Sequence, residues 1–162
     1  MKTKIVVLVG LAIALGGCTF KARLYPVQGP LARKSPLPTY PVKMSGWIKS
    51  GTVVATLDGG EVCSGRIAFL ADKEEAAYQT SASEPALKDL AAAWDLVYGP
   101  GFYTGQVLGG THFAQGNCKS DRGTQMSFQV LQRVKTDKTF DQSNDMKGVA
   151  IDGQGNIFKI AF

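Results

Sequence analysis

Short runs of β-branched and aromatic residues, cut repeatedly by glycine-bearing turns, constrain the fold of this chain more than any other feature. Thr52-Val53-Val54-Ala55-Thr56-Leu57 meets Asp58-Gly59-Gly60, and residues 61–69 return with Val62, Ile67 and Phe69 as apolar positions. Glycine tolerates positive φ, so Asp-Gly-Gly between two such runs predicts a hairpin over 46–70. Gly65 is a candidate bulge within it. Residues 102–108, 112–118, 124–133, 147–151 and 157–162 are further strand candidates, separated by glycine-rich or polar stretches. In the last of them Phe158, Ile160 and Phe162 alternate with Ile157, Lys159 and Ala161, as in a half-buried strand. Residues 51–61 and 148–156 share one order of glycine, β-formers, Asp-Gly and a polar return. Two matches do not make a repeat, but they suit a sheet of successive hairpins.

One segment follows a different period. Leu87, Leu90, Ala91, Trp94, Val97 and Tyr98 fall on one face at helical spacing, with Leu96 off the stripe. Pro85 falls in the first turn, where its missing N–H costs nothing, and Gly99-Pro100-Gly101 stops the run. This predicts a helix over about 85–98. The fold expected is mainly β: antiparallel hairpins in an open sheet or small barrel, with the helix packed on the sheet or across the barrel mouth. Residues 71–83 read as a loop with a helical turn near 72–78.

Residues 18–45 look different again. They hold Pro26, Pro30, Pro36, Pro38 and Pro41, and Lys21, Arg23, Arg33, Lys34 and Lys43 without an acid. Proline fixes φ and removes a donor, which argues against helix and central strand. The expectation is a semi-rigid tether, with Leu24-Tyr25-Pro26-Val27 docking on the domain as an edge segment and the single domain beginning at 46. The charges read most simply as those of a solvated linker. Beside an anionic surface each would contribute about 1 kcal/mol.

The chain opens with Met1-Lys2-Thr3-Lys4 and then residues 5–15, apolar apart from Gly10. That run is shorter than the roughly 20 residues needed to span a bilayer, and it fits the core of a cleaved export signal. It ends Leu15-Gly16-Gly17-Cys18, which resembles the lipobox of bacterial lipoproteins. Over residues 1–18 the resemblance implies cleavage before Cys18, a diacylglycerol on its thiol and acylation of the new amine. Several acyl chains suffice for stable anchoring to a lipid bilayer. Thr19 rather than Asp after the cysteine implies the outer membrane. Beyond residue 18 the chain is similar only in general character to small bacterial lipoproteins with a Gly-rich β domain.

Removing 17 of the 162 residues leaves 145, enough for one core-forming domain. Lys2 and Lys4 leave with the signal, so 16 basic residues face 13 acidic ones. So mild an excess does not argue for nucleic acid. Outside the cytoplasm disulfides form. Cys63 and Cys118 are the remaining cysteines and have one intramolecular pairing. A bridge would close a loop of about 55 residues, contributing about 4 kcal/mol in the chain-entropy account.

Little in the chain announces chemistry. His112 is the sole histidine, so no multi-histidine metal site can form. There is no Gly-x-Ser-x-Gly elbow and no phosphate loop in a strand–loop–helix setting. Asp72, Glu74 and Glu75 cluster, and Asp137, Asp141 and Asp145 recur every fourth residue, without the glycine and closing glutamate of a calcium loop. Asp152-Gly153-Gln154-Gly155-Asn156 reads as a turn. Trp94, Tyr98, Phe102 and Tyr103 read as core rather than a cleft lining. Phe158, Ile160 and Phe162 also suit the last strand of a membrane-spanning barrel, but the helix and tether leave too little chain for eight strands of about ten residues. No catalytic residue, metal or cofactor is assigned. The expectation is a lipid-anchored envelope module that binds a protein or glycan partner, or adds to structure. The alternative is an envelope hydrolase whose carboxylates meet only in the fold.

Overall fold

A computed structural model describes residues 18–47, 50–70, 84–108, 112–132 and 146–162. Eight strands form a closed, wholly antiparallel barrel in sequence order. They are β1 (Cys18–Gln28), β2 (Tyr40–Trp47), β3 (Ser50–Thr56), β4 (Val62–Leu70), β5 (His112–Ser120), β6 (Gln125–Gln132), β7 (Met146–Asp152) and β8 (Ile157–Ala161). Closure comes from β1 pairing with β8, with Arg23 opposite Ala161 and Tyr25 opposite Lys159. The mainly-β expectation holds, in its barrel form.

The tether expectation does not hold. Residues 18–47 supply β1 and β2, so the domain begins at Cys18 rather than at 46. The strand prolines sit where the ladder is incomplete. Pairing of β1 with β2 runs only from Cys18 to Leu24, and the register with β8 shifts between Pro26 and Gln28, so Pro26 withholds its donor at an irregularity. Pro41 faces Arg23 on one side, while β2–β3 pairing starts one residue later, at Val42. Pro30, Pro36 and Pro38 lie in the connection between the two strands, around the short 3₁₀ turn Leu31–Arg33. Leu24-Tyr25-Pro26-Val27 therefore belongs to a closed wall and not to an edge.

Alternation fills the interior. Leu24, Tyr40, Val42, Met44, Val53, Ala55, Ile67, Met126, Phe128, Ala150, Phe158 and Ile160 form one buried cluster. A fully buried side chain of this kind contributes about 1.5–3 kcal/mol relative to exposure. Tyr40 and Phe158 meet edge to face at 6.3 Å. The hairpin over β3 and β4 turns at Asp58–Gly60, as expected, with Gly59 at φ 65°. Gly65 makes no bulge, because registers on both sides of β4 run through it unbroken. A Cβ there would collide with the Asn117 carbonyl, so the glycine serves close approach of β5.

The helix α1 (Glu84–Tyr98) matches its expected span. It lies on the outside of the barrel rather than across its mouth, chiefly against β7. Leu90, Ala93 and Trp94 are buried against Leu131 and Val149, while Leu96 is half exposed. Beyond it, residues 102–108 are not a strand. Tyr103–Val107 is a π-helical turn, begun by the Tyr103 amide donating to Asp95 Oδ1 at 2.8 Å. Phe102 stacks on Trp94 and Tyr98 with centroids 5.7 and 4.9 Å apart, which holds this segment to the helix instead of a sheet.

Candidate functional site

Inward placement of Phe20, Ala22 and Leu24 sends Lys21, Arg23 and Tyr25 of β1 outward. The same alternation turns Lys43 of β2 and Lys159 of β8 to the outside. Lys21, Arg23, Lys43 and Lys159 are all exposed, and β8, β1, β2 and β3 contain no acidic residue. Lys21 sits directly opposite Lys43 across the β1–β2 ladder. Like charges so placed destabilise a sheet. Among the described residues no carboxylate forms an ion pair with any of the four; the ion pair present joins Lys34 Nζ to Asp58 Oδ2 at 3.0 Å, both exposed. The wall carries a shallow depression of about 650 Å³ bordered by Lys21, Arg23, Tyr25, Pro41, Lys43 and Phe162. Cationic rims around an apolar floor suit an anionic ligand or surface.

The described carboxylates lie elsewhere. Asp58, Glu61, Asp121 and Asp152 belong to the turns at one barrel end, and Glu84, Asp89 and Asp95 to α1. That end is tied together by polar contacts. The Lys34 ammonium and then the Tyr40 hydroxyl hold the Asp58 carboxyl below its usual range. Burial first, and then Asp58, pushes the Tyr40 phenol up to about 12. Glu61 is held low by the hydroxyls of Ser120 and Thr124. Asn156 is fully buried. Its Oδ1 accepts from the Leu31 amide at 2.9 Å and its Nδ2 donates to Asp152 Oδ2 at 2.7 Å. The Gln154 and Asn156 amides both donate to Asp152 Oδ1 at 2.9 Å. Residues 152–156 are thus a turn whose oxygens are already engaged.

The other expected residues sort cleanly. Cys18 is the first residue of β1, opposite Gly46. Cys63 and Cys118 form a disulfide inside the barrel, bridging β4 and β5 with Cα atoms 5.5 Å apart. His112 opens β5 opposite Gln132. Trp94, Tyr98, Phe102 and Tyr103 form the aromatic layer that seats α1, with Trp94 Nε1 donating to buried Gln129 Oε1 at 2.8 Å. Burial raises the phenols of Tyr98 and Tyr103. The Lys147 and Lys159 ammoniums lie 5.2 and 5.7 Å from the centre of the Tyr98 ring. Among the described residues no three His, Cys, Asp or Glu side chains converge as metal ligands. The signal at 1–17, the helical turn near 72–78 with its Asp72-Glu74-Glu75 cluster, and Asp137, Asp141 and Asp145 lie outside the described residues.

The cationic wall escaped the sequence because its members come from positions as far apart as 21 and 159, and only barrel closure makes β1 and β8 neighbours. The one local signal was the acid-free, basic composition of 18–45. Comparison with protein-family models, curated proteins and solved structures found no match to this chain.

Proposed function

We propose that the chain is a lipid-anchored protein of the bacterial envelope, held to the outer membrane by acylated Cys18, with its barrel serving as a binding or structural module rather than a catalyst. The observation that carries this reading is the order Leu15-Gly16-Gly17-Cys18 placed immediately at the start of β1. The residue that would bear the lipid is also the one at which β1 begins, so cleavage before it leaves all eight described strands in place. The disulfide fits an oxidising compartment. Where outward positions are bare, the barrel is mostly polar or charged, with Val27, Pro41 and Val62 exposed among them, and its interior is apolar. That is the reverse of a barrel whose outer face meets lipid, and it suits a domain standing in water beside a membrane.

Replacing Cys18 tests the anchor. Cys18→Ser leaves a precursor of unprocessed size with no fatty acid released on hydrolysis, and after a high-salt wash, which strips protein held by charge alone, fractionation finds it detached from outer-membrane lipid in detergent-free extracts. Unchanged acyl labelling of the variant would refute the anchor. Crosslinking of the native protein, followed by identification of attached envelope proteins or glycan, tests the binding module. The hydrolase alternative calls for two carboxyl groups facing one another in a cleft. No buried carboxylate occurs among the described residues, and no observation favours that reading here.

A further inference from the structure

The wall of β8, β1 and β2 gathers Lys21, Arg23, Lys43 and Lys159 on strands without a single acid, beginning at the residue proposed to carry the lipid. We infer that this wall lies flat against the anionic headgroups of the bilayer, so that the anchored barrel rests on its side. The inference depends on the anchored reading for the position of the bilayer and adds an orientation to it.

Distance decides between postures. A strand rises about 3.3 Å per residue, which sets Lys21 about 10 Å and Arg23 about 16 Å along the strand from Cys18. The field of a charged surface decays over about 8 Å at physiological ionic strength. Upright on its anchor, with its strands tilted about 40° to the barrel axis, the barrel would keep Lys21 at the limit of that field and set Arg23 beyond it. On its side it brings Lys21, Arg23 and Lys43 within reach at once, with Lys159 at the margin, its ammonium 5.7 Å from the Tyr98 ring centre. No tether intervenes, because Cys18 is itself paired, opposite Gly46. The Lys21–Lys43 juxtaposition, unfavourable in water, becomes favourable against phosphate. Tyr25 and Pro41 between the cations give the face an amphipathic strip of the kind that sits at a headgroup boundary. Among the described residues the side-chain carboxylates of the turns and of α1 stay off this face.

The decisive measurement uses residues 18–162, which contain every strand of the barrel, carrying Cys18→Ser so that no acyl chain contributes. This protein should cosediment with vesicles of phosphatidylcholine and phosphatidylglycerol, not with phosphatidylcholine alone, and release as salt rises. Lys21→Gln with Lys43→Gln should weaken binding about thirtyfold, from about fivefold per headgroup-facing cation. Arg66→Gln with Lys119→Gln removes two cations from another wall and should change it little. On the lipidated full protein in the same vesicles, acetylation of Lys21 and Lys43 should slow relative to Lys119. Equal losses in the two double variants, or Lys21 and Lys43 acetylated as fast as Lys119, overturn the inference. So does binding to soluble polyphosphate without binding to anionic vesicles. Fatty-acid analysis of the wild type judges the anchor separately: a wall that binds vesicles on a protein without lipid would leave the interface standing and remove the anchor.

Discussion

On β6 and β7 the outward side chains of Gln129, Leu131, Val149 and Ile151 lie beneath α1, whereas on β1 and β2 Lys21, Arg23 and Lys43 face solvent. Both walls obey the same alternation, and both turn the neighbouring residues into one interior. What differs is the medium met outside. An outward position that is apolar marks a covering element; one that is cationic and acid-free marks a surface kept for something else. The covered wall spends its chemistry on stability and the bare wall does not, so substitutions should separate them.

The largest effect is expected on the covered wall. Trp94→Ala removes the fully buried centre of the aromatic layer and should cost about 3–5 kcal/mol in chemical denaturation. A loss under about 1 kcal/mol would mean that α1 is an accessory to a self-sufficient barrel. Next is an interior test. The folded Tyr40 phenol is raised to about 12 from an ordinary value of 10.0, so its contribution is fully present below pH 10 and is lost as pH climbs from 10 towards 12, where the unfolded chain ionises first. The decline should be on the order of 2 kcal/mol and should flatten in Tyr40→Phe; identical slopes in the two proteins would remove Tyr40 from the account. Of similar size, Gln129→Ala strands the Trp94 indole N–H beneath the helix and should cost about 1–3 kcal/mol, read as a lower melting temperature. Smallest, and opposite in sign, Lys43→Thr relieves the charge facing Lys21 and should stabilise the isolated barrel by about 0.2–1 kcal/mol. A destabilisation there would show that the bare wall supports the fold after all.

How far the sequence carried can be judged from the same two walls. The hairpin over β3 and β4 was legible because Asp58-Gly59-Gly60 interrupts a β-branched run, and α1 because Leu90 and Trp94 recur at helical spacing. β6 was found as a strand, but with Gln129 and Leu131 buried on its outer side its period is blurred, and only the helix explains it. β1 and β2 were hidden by prolines, whose penalty vanishes where a neighbouring strand is absent from the ladder. The segment after Gly101 has strand-like composition, yet stacking of Phe102 on Trp94 outweighs that preference. Closure was beyond reach of local patterns, since nothing near Arg23 announces Ala161 as its partner. The disulfide was legible once the lipobox resemblance set Cys18 aside and left two cysteines with one pairing. The wall of lysines was visible only as composition, because charge becomes a surface once strands are neighbours.

Closure by the first and last strands also sets a schedule for the polypeptide. Until β8 has been delivered, β1 and β7 each offer a raw edge on which a stranger could add. Contacts so distant along the chain reward folding late, in the slow regime of all-β topologies. A ribosome releasing this protein from its amino end therefore handles a chain whose β1 lacks its closing partner until β8 emerges.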